Sequence, residues 1–346
     1  MDALRGSDEF RFLVTLCRAA FTGDALDEPS PELDWSVLTQ LAQFHRVQGL
    51  AWNALKSSGI EADALAADAQ SIVTTNLQIA AESRALRSSF DHAGIDLLFV
   101  KGLTLGALAY RNPMLKMGWD IDVLIDASKL ADAASVLQSK GYRLIEPDAS
   151  NDLETWHRRR KESVWRRGEL YVELHTRLAD NPTLIPMIDI RSPRREVEVT
   201  SGIALPTLAA DELFAYLCVH GASSAWFRLK WITDFAALIH ARSPSEIEQL
   251  YQRSQELGTY RTADQALLLA DALFGSLNGS DLKPRLLRDR SNRVLRNAAM
   301  RQVISSKEPT EAPLGTWRIH WTQLLIKPGL AFKAGEVFRQ VRDAVV

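Results

Sequence analysis

From Asp8 to about His92 the apolar residues recur at helical spacing. Phe10, Leu13, Val14, Cys17, Ala20 and Phe21 form one such set, and Val37, Leu38, Leu41 and Ala42 repeat it beyond the break at Ser30-Pro31. No strand pattern precedes Ile95. The period then changes, because IDLLFVKG (95–102) is a short apolar run ending in Lys-Gly, which reads as a buried strand entering a turn. LTLGALAY reads as a helix, RNPMLKMG as a loop and WDIDVLID as a second strand. SKLADAASVLQSK has a serine cap and apolar Leu130, Ala133, Ala134 and Leu137, so it predicts an amphipathic helix stopped at Gly141. YRLIE reads as a short strand, and KESVWRRGELYVELHTRL as a hairpin around Arg167-Gly168. Beyond Pro206 the helical period returns in DELFAYLCVHGA, WFRLKWITDFAALIHA, SPSEIEQLYQRSQELG and TADQALLLADALFG. The pattern predicts an α+β chain in three parts: an N-terminal helical region (1–92), a small mixed-sheet core (93–206) and a C-terminal helical region (207–346).

One strand departs from what packing alone demands. In GWDIDVLID, Ile121, Val123 and Ile125 point to one face while Asp120, Asp122 and Leu124 point to the other. Two aspartates at i and i+2 have Cβ atoms roughly 6.5 Å apart, a spacing that suits a pair of Mg²⁺ ions with oxygen ligands. A third carboxylate has to come from elsewhere. Glu173 is the best candidate, because it lies mid-strand in a segment expected to pair near Asp120 and shares its less apolar face with Tyr171 and His175. Without a metal, three clustered carboxylates repel one another and hold protons. Lys101-Gly102 closes the first strand and opens a helix, so the amides of Gly102 and Leu103 would face an anion, with Lys101 adding a point charge suited to phosphate. Arg111 and Lys116 flank the loop before the aspartates, where each reads either as a phosphate contact or, better for either one alone, as a solvated side chain.

Composition narrows the class without naming it. The 346 residues are 46% hydrophobic and 24% charged, with a formal charge of −2, so no global field favours nucleic acid or an anionic membrane. The opening MDALRGSDEFRF lacks the basic start and apolar core of a signal peptide, and no uncharged run approaches the ~20 residues of a membrane span. Cys17 and Cys218 each sit in a helix-like apolar pattern, which fits reduced buried thiols and a cytoplasmic location.

The ordered set of FVKGLTLGALAY, WDIDVLID and VELH resembles the nucleotidyltransferase superfamily with the polymerase-β-like fold. Within it the chain is most similar to an uncharacterised bacterial nucleotidyltransferase family, and HRVQGL near residue 45 and RLKWITDFAAL near residue 228 resemble the flanking helices of that family. The resemblance implies a nucleotidyltransferase-like core and Mg²⁺-dependent (or Mn²⁺-dependent) transfer of a nucleotidyl group from a nucleoside triphosphate such as ATP. Asp120, Asp122 and Glu173 would hold the metal and carry the catalysis, and Lys101, Gly102, Lys116 and His175 would contact the nucleotide. The acceptor is left open, with a small molecule, peptide or protein favoured over nucleic acid. The wider superfamily has Gly-Ser or Gly-Gly where this chain has Gly102-Leu103, and small residues where it has Trp119.

Other readings stand beside this one. The fold would also serve a catalytically inactive nucleotide-sensing or protein-binding module, or a γ-phosphoryl transferase using the same metals. HRRRKESVWRRG, with Trp156 and Trp165 among its arginines, reads either as a polynucleotide surface or as the solvated face of a hairpin. His175 would orient Glu173, move a proton or simply pack. The tail LLIKPGLAFKAGEVFRQVRDAVV reads as a docked terminal helix.

Overall fold

The computed structural model describes residues 6–148, 152–308 and 317–345. Parts of the opening and of the C-terminal tail discussed above therefore lie outside the described residues. The chain begins with helices α1 (Asp8–Thr22), α2 (Trp35–His45), α3 (Gln48–Ser57) and the long α4 (Asp63–His92). The α/β region follows: β1 (Leu97–Phe99), α5 (Gly102–Tyr110), β2 (Asp120–Ile125), α6 (Leu130–Ser139), β3 (Arg143–Glu146), α7 (Leu153–Arg159), β4 (Glu162–Arg167), β5 (Leu170–His175), β6 (Arg194–Thr200) and β7 (Ile203–Leu208). Helices complete it as α8 (Ala210–Ser223), α9 (Leu229–His240), α10 (Pro244–Glu256), α11 (Arg261–Phe274), α12 (Leu282–Leu286), α13 (Arg290–Ser305), α14 (Trp317–Gln323) and α15 (Leu330–Val345). Among the described residues no helix is long and apolar enough to cross a membrane.

These elements pack as two compact units. One comprises Met1–Ala66, Thr183–Pro186 and Phe214–Val346, and the other comprises Ala67–Pro182 and Met187–Leu213. Both free cysteines are buried in the first unit, as their apolar surroundings in the sequence require. Its α15 buries Glu336 against Arg339 and Gln340, while Leu330, Val337, Phe338 and Val341 face outward. The helix docks on α14 through Arg339 and Gln340, which donate to Gln323 and to the His320 carbonyl, and those apolar residues lie on the outer side.

The second unit holds a five-stranded mixed sheet in the order β1-β2-β5-β4-β3, and a separate two-stranded hairpin of β6 and β7. β2 and β5 run parallel at its centre, in a register that sets Asp120 beside Tyr171, Asp122 beside Glu173 and Leu124 beside His175. β4 and β5 form the expected hairpin. Its turn lies on Gly168-Glu169, one residue later than the sequence suggests, and Gly168 takes the positive φ of 59° that tight hairpin turns demand. Moving the turn by one residue shifts the register by two and so keeps every side chain on its predicted face.

The sheet has one apolar face. Ile121, Val123, Ile125, Val172, Leu174 and Trp165 pack there with Ile79, Leu86 and Phe90 of α4 and Leu130, Ala133 and Leu137 of α6. Each such buried aliphatic side chain contributes about 1.5–3 kcal/mol, so the face orientation of β2 is strongly determined. α7 occupies part of the basic run that a hairpin reading would leave extended, since Asp152 caps it by accepting from the Thr155 N–H.

Candidate active site

The opposite face of the sheet carries the charged residues, and the register brings them together. Asp122 and Glu173 are lateral neighbours, so Glu173 faces the second aspartate of the strand. Lys101 Nζ lies 2.5 Å from Asp122 Oδ1 and 3.9 Å from Glu173 Oε2. His175 Nε2 lies 3.2 Å from Asp122 Oδ1 and 3.5 Å from Glu173 Oε2. Its Nδ1 is 3.2 Å from Glu162 Oε2, yet out of line for a good hydrogen bond. Glu162 itself pairs with Lys161.

Burial and charge set the protonation of this cluster. Burial alone would raise the Asp122 carboxyl, but the Lys101 ammonium and the His175 contact outweigh it and hold Asp122 well below the usual carboxylate range. Glu173 goes the other way, since burial and the Asp122 charge push it up to about 7 against the pull of His175 and Lys101, with Asp120 adding to the rise. His175 loses stability as a cation through burial and the Lys161 charge, but Glu162, Asp122 and Glu173 more than restore it and raise its pKa. Four carboxylates, Asp120, Asp122, Glu162 and Glu173, thus share two lysines and one histidine.

That arrangement fits a cation. Donor atoms of Asp122, Glu173 and His175 lie within 4.8 Å of one another. Carboxylate oxygens are the ligands Mg²⁺ and Mn²⁺ take, and a bound cation would offset the charge that keeps Glu173 partly protonated. Asp120 is half-buried on the same face one rung along the strand, outside that three-residue group. Its charge still reaches Glu173.

Gly102 starts α5 with a φ of +62°, and a Cβ there would meet only the Asp120 carbonyl at 4.0 Å. The glycine is therefore required by backbone conformation, which disfavours any L side chain. No side chain caps the N-terminus of α5, so its first amides remain available to an anion. Lys116 sits in the loop between α5 and β2.

Sequence reading missed the residue that shapes that loop. Asn76, fully buried on α4, donates to the Pro113 carbonyl at 3.1 Å and the Lys116 carbonyl at 2.8 Å, and accepts from the Gly118 N–H at 3.1 Å. A Cβ at Gly118 would collide with its amide oxygen. An asparagine among Ile72, Ile79 and Ala80 on the buried side of α4 was the available signal. Glu162 was also missed, although the hairpin places it beside His175.

The basic run is divided between α7 and β4, with Arg158, Arg159 and Arg166 exposed. Arg167 turns to the opposite face and pairs with Glu82, Arg166 pairs with Glu169, Arg158 bonds Thr155, and Arg160 covers the Trp156 ring. His157 bridges Thr176 and Ser163, and burial with the nearby Arg177 charge lowers it to about 4.

Comparison with known proteins accords with this geometry. None of the curated proteins compared matches the chain. A family model described as uncharacterised nucleotidyltransferase matches residues 31–275, well over half of the 346, and spans the sheet, its acid face and the flanking helices. With its Lys-Gly turn, its DxD strand and its parallel Glu-Leu-His strand in that order, the chain belongs to this nucleotidyltransferase family.

Proposed function

We propose that the protein moves a nucleoside monophosphate from a nucleoside triphosphate to a hydroxyl-bearing acceptor, with Mg²⁺ as the metal. The observation that carries this reading is the rung formed by Asp122 and Glu173, an acidic pair beside an uncapped helix start and Lys101 on one face of a buried sheet. Asp120, Asp122 and Glu173 would hold the metal, which supplies charge stabilisation on the triphosphate when bound. Gly102, Leu103 and Lys101 would bind the triphosphate, with Lys116 close behind. The acceptor oxygen attacks the α-phosphorus, the bond to the bridging oxygen of the β-phosphate breaks, and pyrophosphate leaves with the electron pair. With the cation bound, Glu173 would be a carboxylate placed to take the acceptor proton. His175 positions Asp122 and Glu173 through its Nε2 contacts. Catalysis of this kind rests mainly on positioning and electrostatics. The favoured acceptors are a small molecule, a peptide or a protein side chain, because the net charge of −2 gives no global attraction to nucleic acid.

The test is thermal stability of the wild type and of Asp120→Asn and Asp122→Asn with each of the four ribonucleoside triphosphates, with and without Mg²⁺. Ligand at about 100 times its dissociation constant stabilises by roughly 2.7 kcal/mol, so a Mg²⁺-dependent rise of several degrees is expected in the wild type and lost in both variants. Asp120→Asn is the cleaner variant, since Asp120 is only half-buried whereas Asp122 is buried and paired with Lys101. Pyrophosphate as the product supports nucleotidyl transfer; ADP from ATP would assign γ-phosphoryl transfer instead. No shift with any nucleotide would sink the reading and favour a non-catalytic module.

A further inference from the structure

Trp119 is the residue near the acids that their chemistry does not use. Its side chain is 57% exposed although it immediately precedes Asp120. It is nevertheless held in place, with its ring centroid 6.3 Å from that of Tyr171 and the two planes 19° apart. Tyr171 sits beside Asp120 in the β2–β5 register, on the face that carries Glu173 and His175. The Arg166 guanidinium lies 5.3 Å from the Tyr171 ring, which fixes that ring further. The backbone delivering Trp119 is pinned too, because Asn76 bonds Pro113, Lys116 and Gly118 just before it.

The result is a flat aromatic surface, pre-positioned at one end of the acid strand, on a residue that is exposed to solvent. Leaving that much apolar area in water gains the fold nothing. A planar ring laid on it would remove the area from water and add stacking. The proposed reaction necessarily brings one such ring to Asp120 and Asp122, namely the base of the nucleoside triphosphate. Stacking reads the π face that every base has, with little regard to its hydrogen-bonding edge.

We propose that Trp119, backed by Tyr171, is the stacking platform for the nucleobase, so that the site accepts several bases with similar affinity. This rests on the nucleotidyltransferase reading above. The experiment is calorimetric titration of the wild type, Trp119→Ala and Trp119→Phe with the Mg²⁺ complexes of ATP, GTP, CTP and UTP, and of inorganic tripolyphosphate, which has the phosphates and no base. Trp119→Ala should weaken all four nucleotides about tenfold and leave tripolyphosphate within about twofold, while Trp119→Phe retains most of the nucleotide affinity. An equal loss for tripolyphosphate would mean that Trp119 only shapes the loop, and the proposal would fall. Unchanged nucleotide affinity in Trp119→Ala, with binding still lost in Asp120→Asn, would overturn the platform alone and turn attention to an acceptor ring. If the wild type binds no nucleotide, the nucleotidyltransferase reading fails and takes the platform with it.

Discussion

Two charged clusters occupy opposite faces of the same sheet, and they are built on different principles. On the core side Arg167 Nη2 lies 2.5 Å from Glu82 Oε2, and Tyr142 donates its hydroxyl to Glu82 Oε1 at 3.0 Å. Arg167 also donates to the Lys140 carbonyl at 3.0 Å and lies over the Tyr142 ring at 4.9 Å. One cation meets one anion there, and the lone pairs are satisfied. Burial and the Glu82 charge push the Tyr142 hydroxyl upward, so it stays a donor. On the other face Asp122, Glu173, Glu162 and Asp120 outnumber Lys101, Lys161 and His175, and burial together with the Asp122 charge raises Glu173 to about 7. A balanced buried pair holds elements together, whereas an acid excess retained at similar depth leaves a place that could hold a further cation.

The largest expected effect breaks the balanced side. Arg167→Met leaves Glu82 buried without its cation, and breaking such a pair costs about 3–5 kcal/mol when fully buried; with Arg167 partly exposed, the lower end should apply. Urea denaturation would measure it, and the Mg²⁺-nucleotide stabilisation should persist where the variant is folded. A loss of less than about 0.5 kcal/mol would mean that the two clusters do not differ in the way described.

A smaller effect sharpens the acid side through pH. Because the folded pKa of Glu173 is raised, the native chain holds a proton that the unfolded chain has released between about pH 4.5 and 7. Metal-free stability therefore falls as pH rises through that window, and the penalty is complete above it. Glu173→Gln removes that titration, so its stability relative to wild type should climb from pH 5 to pH 8, by on the order of 1 kcal/mol after allowing for solvent screening, read as a rising melting-temperature difference. His175 is raised as well and loses stability in the same direction, so the difference between variant and wild type is the quantity to compare. The lowered Asp122 acts only as pH falls below its ordinary value of 3.8. Added Mg²⁺ should reverse the order at pH 8, because the wild type alone then gains a ligand carboxylate. A flat difference across pH 5–8 would remove Glu173 from the site's charge imbalance.

A comparable effect concerns the loop that leads into the acid strand. Asn76→Ala deletes three hydrogen bonds to backbone groups and should cost about 1–2 kcal/mol, detectable as a lower denaturation midpoint. Faster hydrogen exchange at Gly118 would accompany it if Asn76 pins the loop; unchanged exchange there would show that the loop holds its own shape.

Much of this site was legible because it depends on local period. The alternation in WDIDVLID put Asp120 and Asp122 on one face, and LYVELH did the same for Tyr171, Glu173 and His175. The β6–β7 hairpin was overlooked even though Val197 and Val199 alternate with Glu196 and Glu198 before Gly202. Pro193 and Pro206 beside and within it masked the strand signal, since proline reads as a breaker until its edge position is known. α7 was hidden by the charge of its arginines, while its Asp152 cap was present in the sequence.

The sequence by itself determined which side chains share a face and the order in which turn, acid strand and Glu-Leu-His strand follow one another, because strand period and turn chemistry act over a few residues. Only the tertiary structure decided that Asp122 faces Glu173, that Lys101 lies closer to the former than to the latter, and that Glu82 and Asn76 of α4 reach Arg167 and the loop before β2. Parallel pairing of β2 with β5 joins residues about fifty positions apart. No local code sets such a register; it follows from which apolar side chains fill the core beneath it.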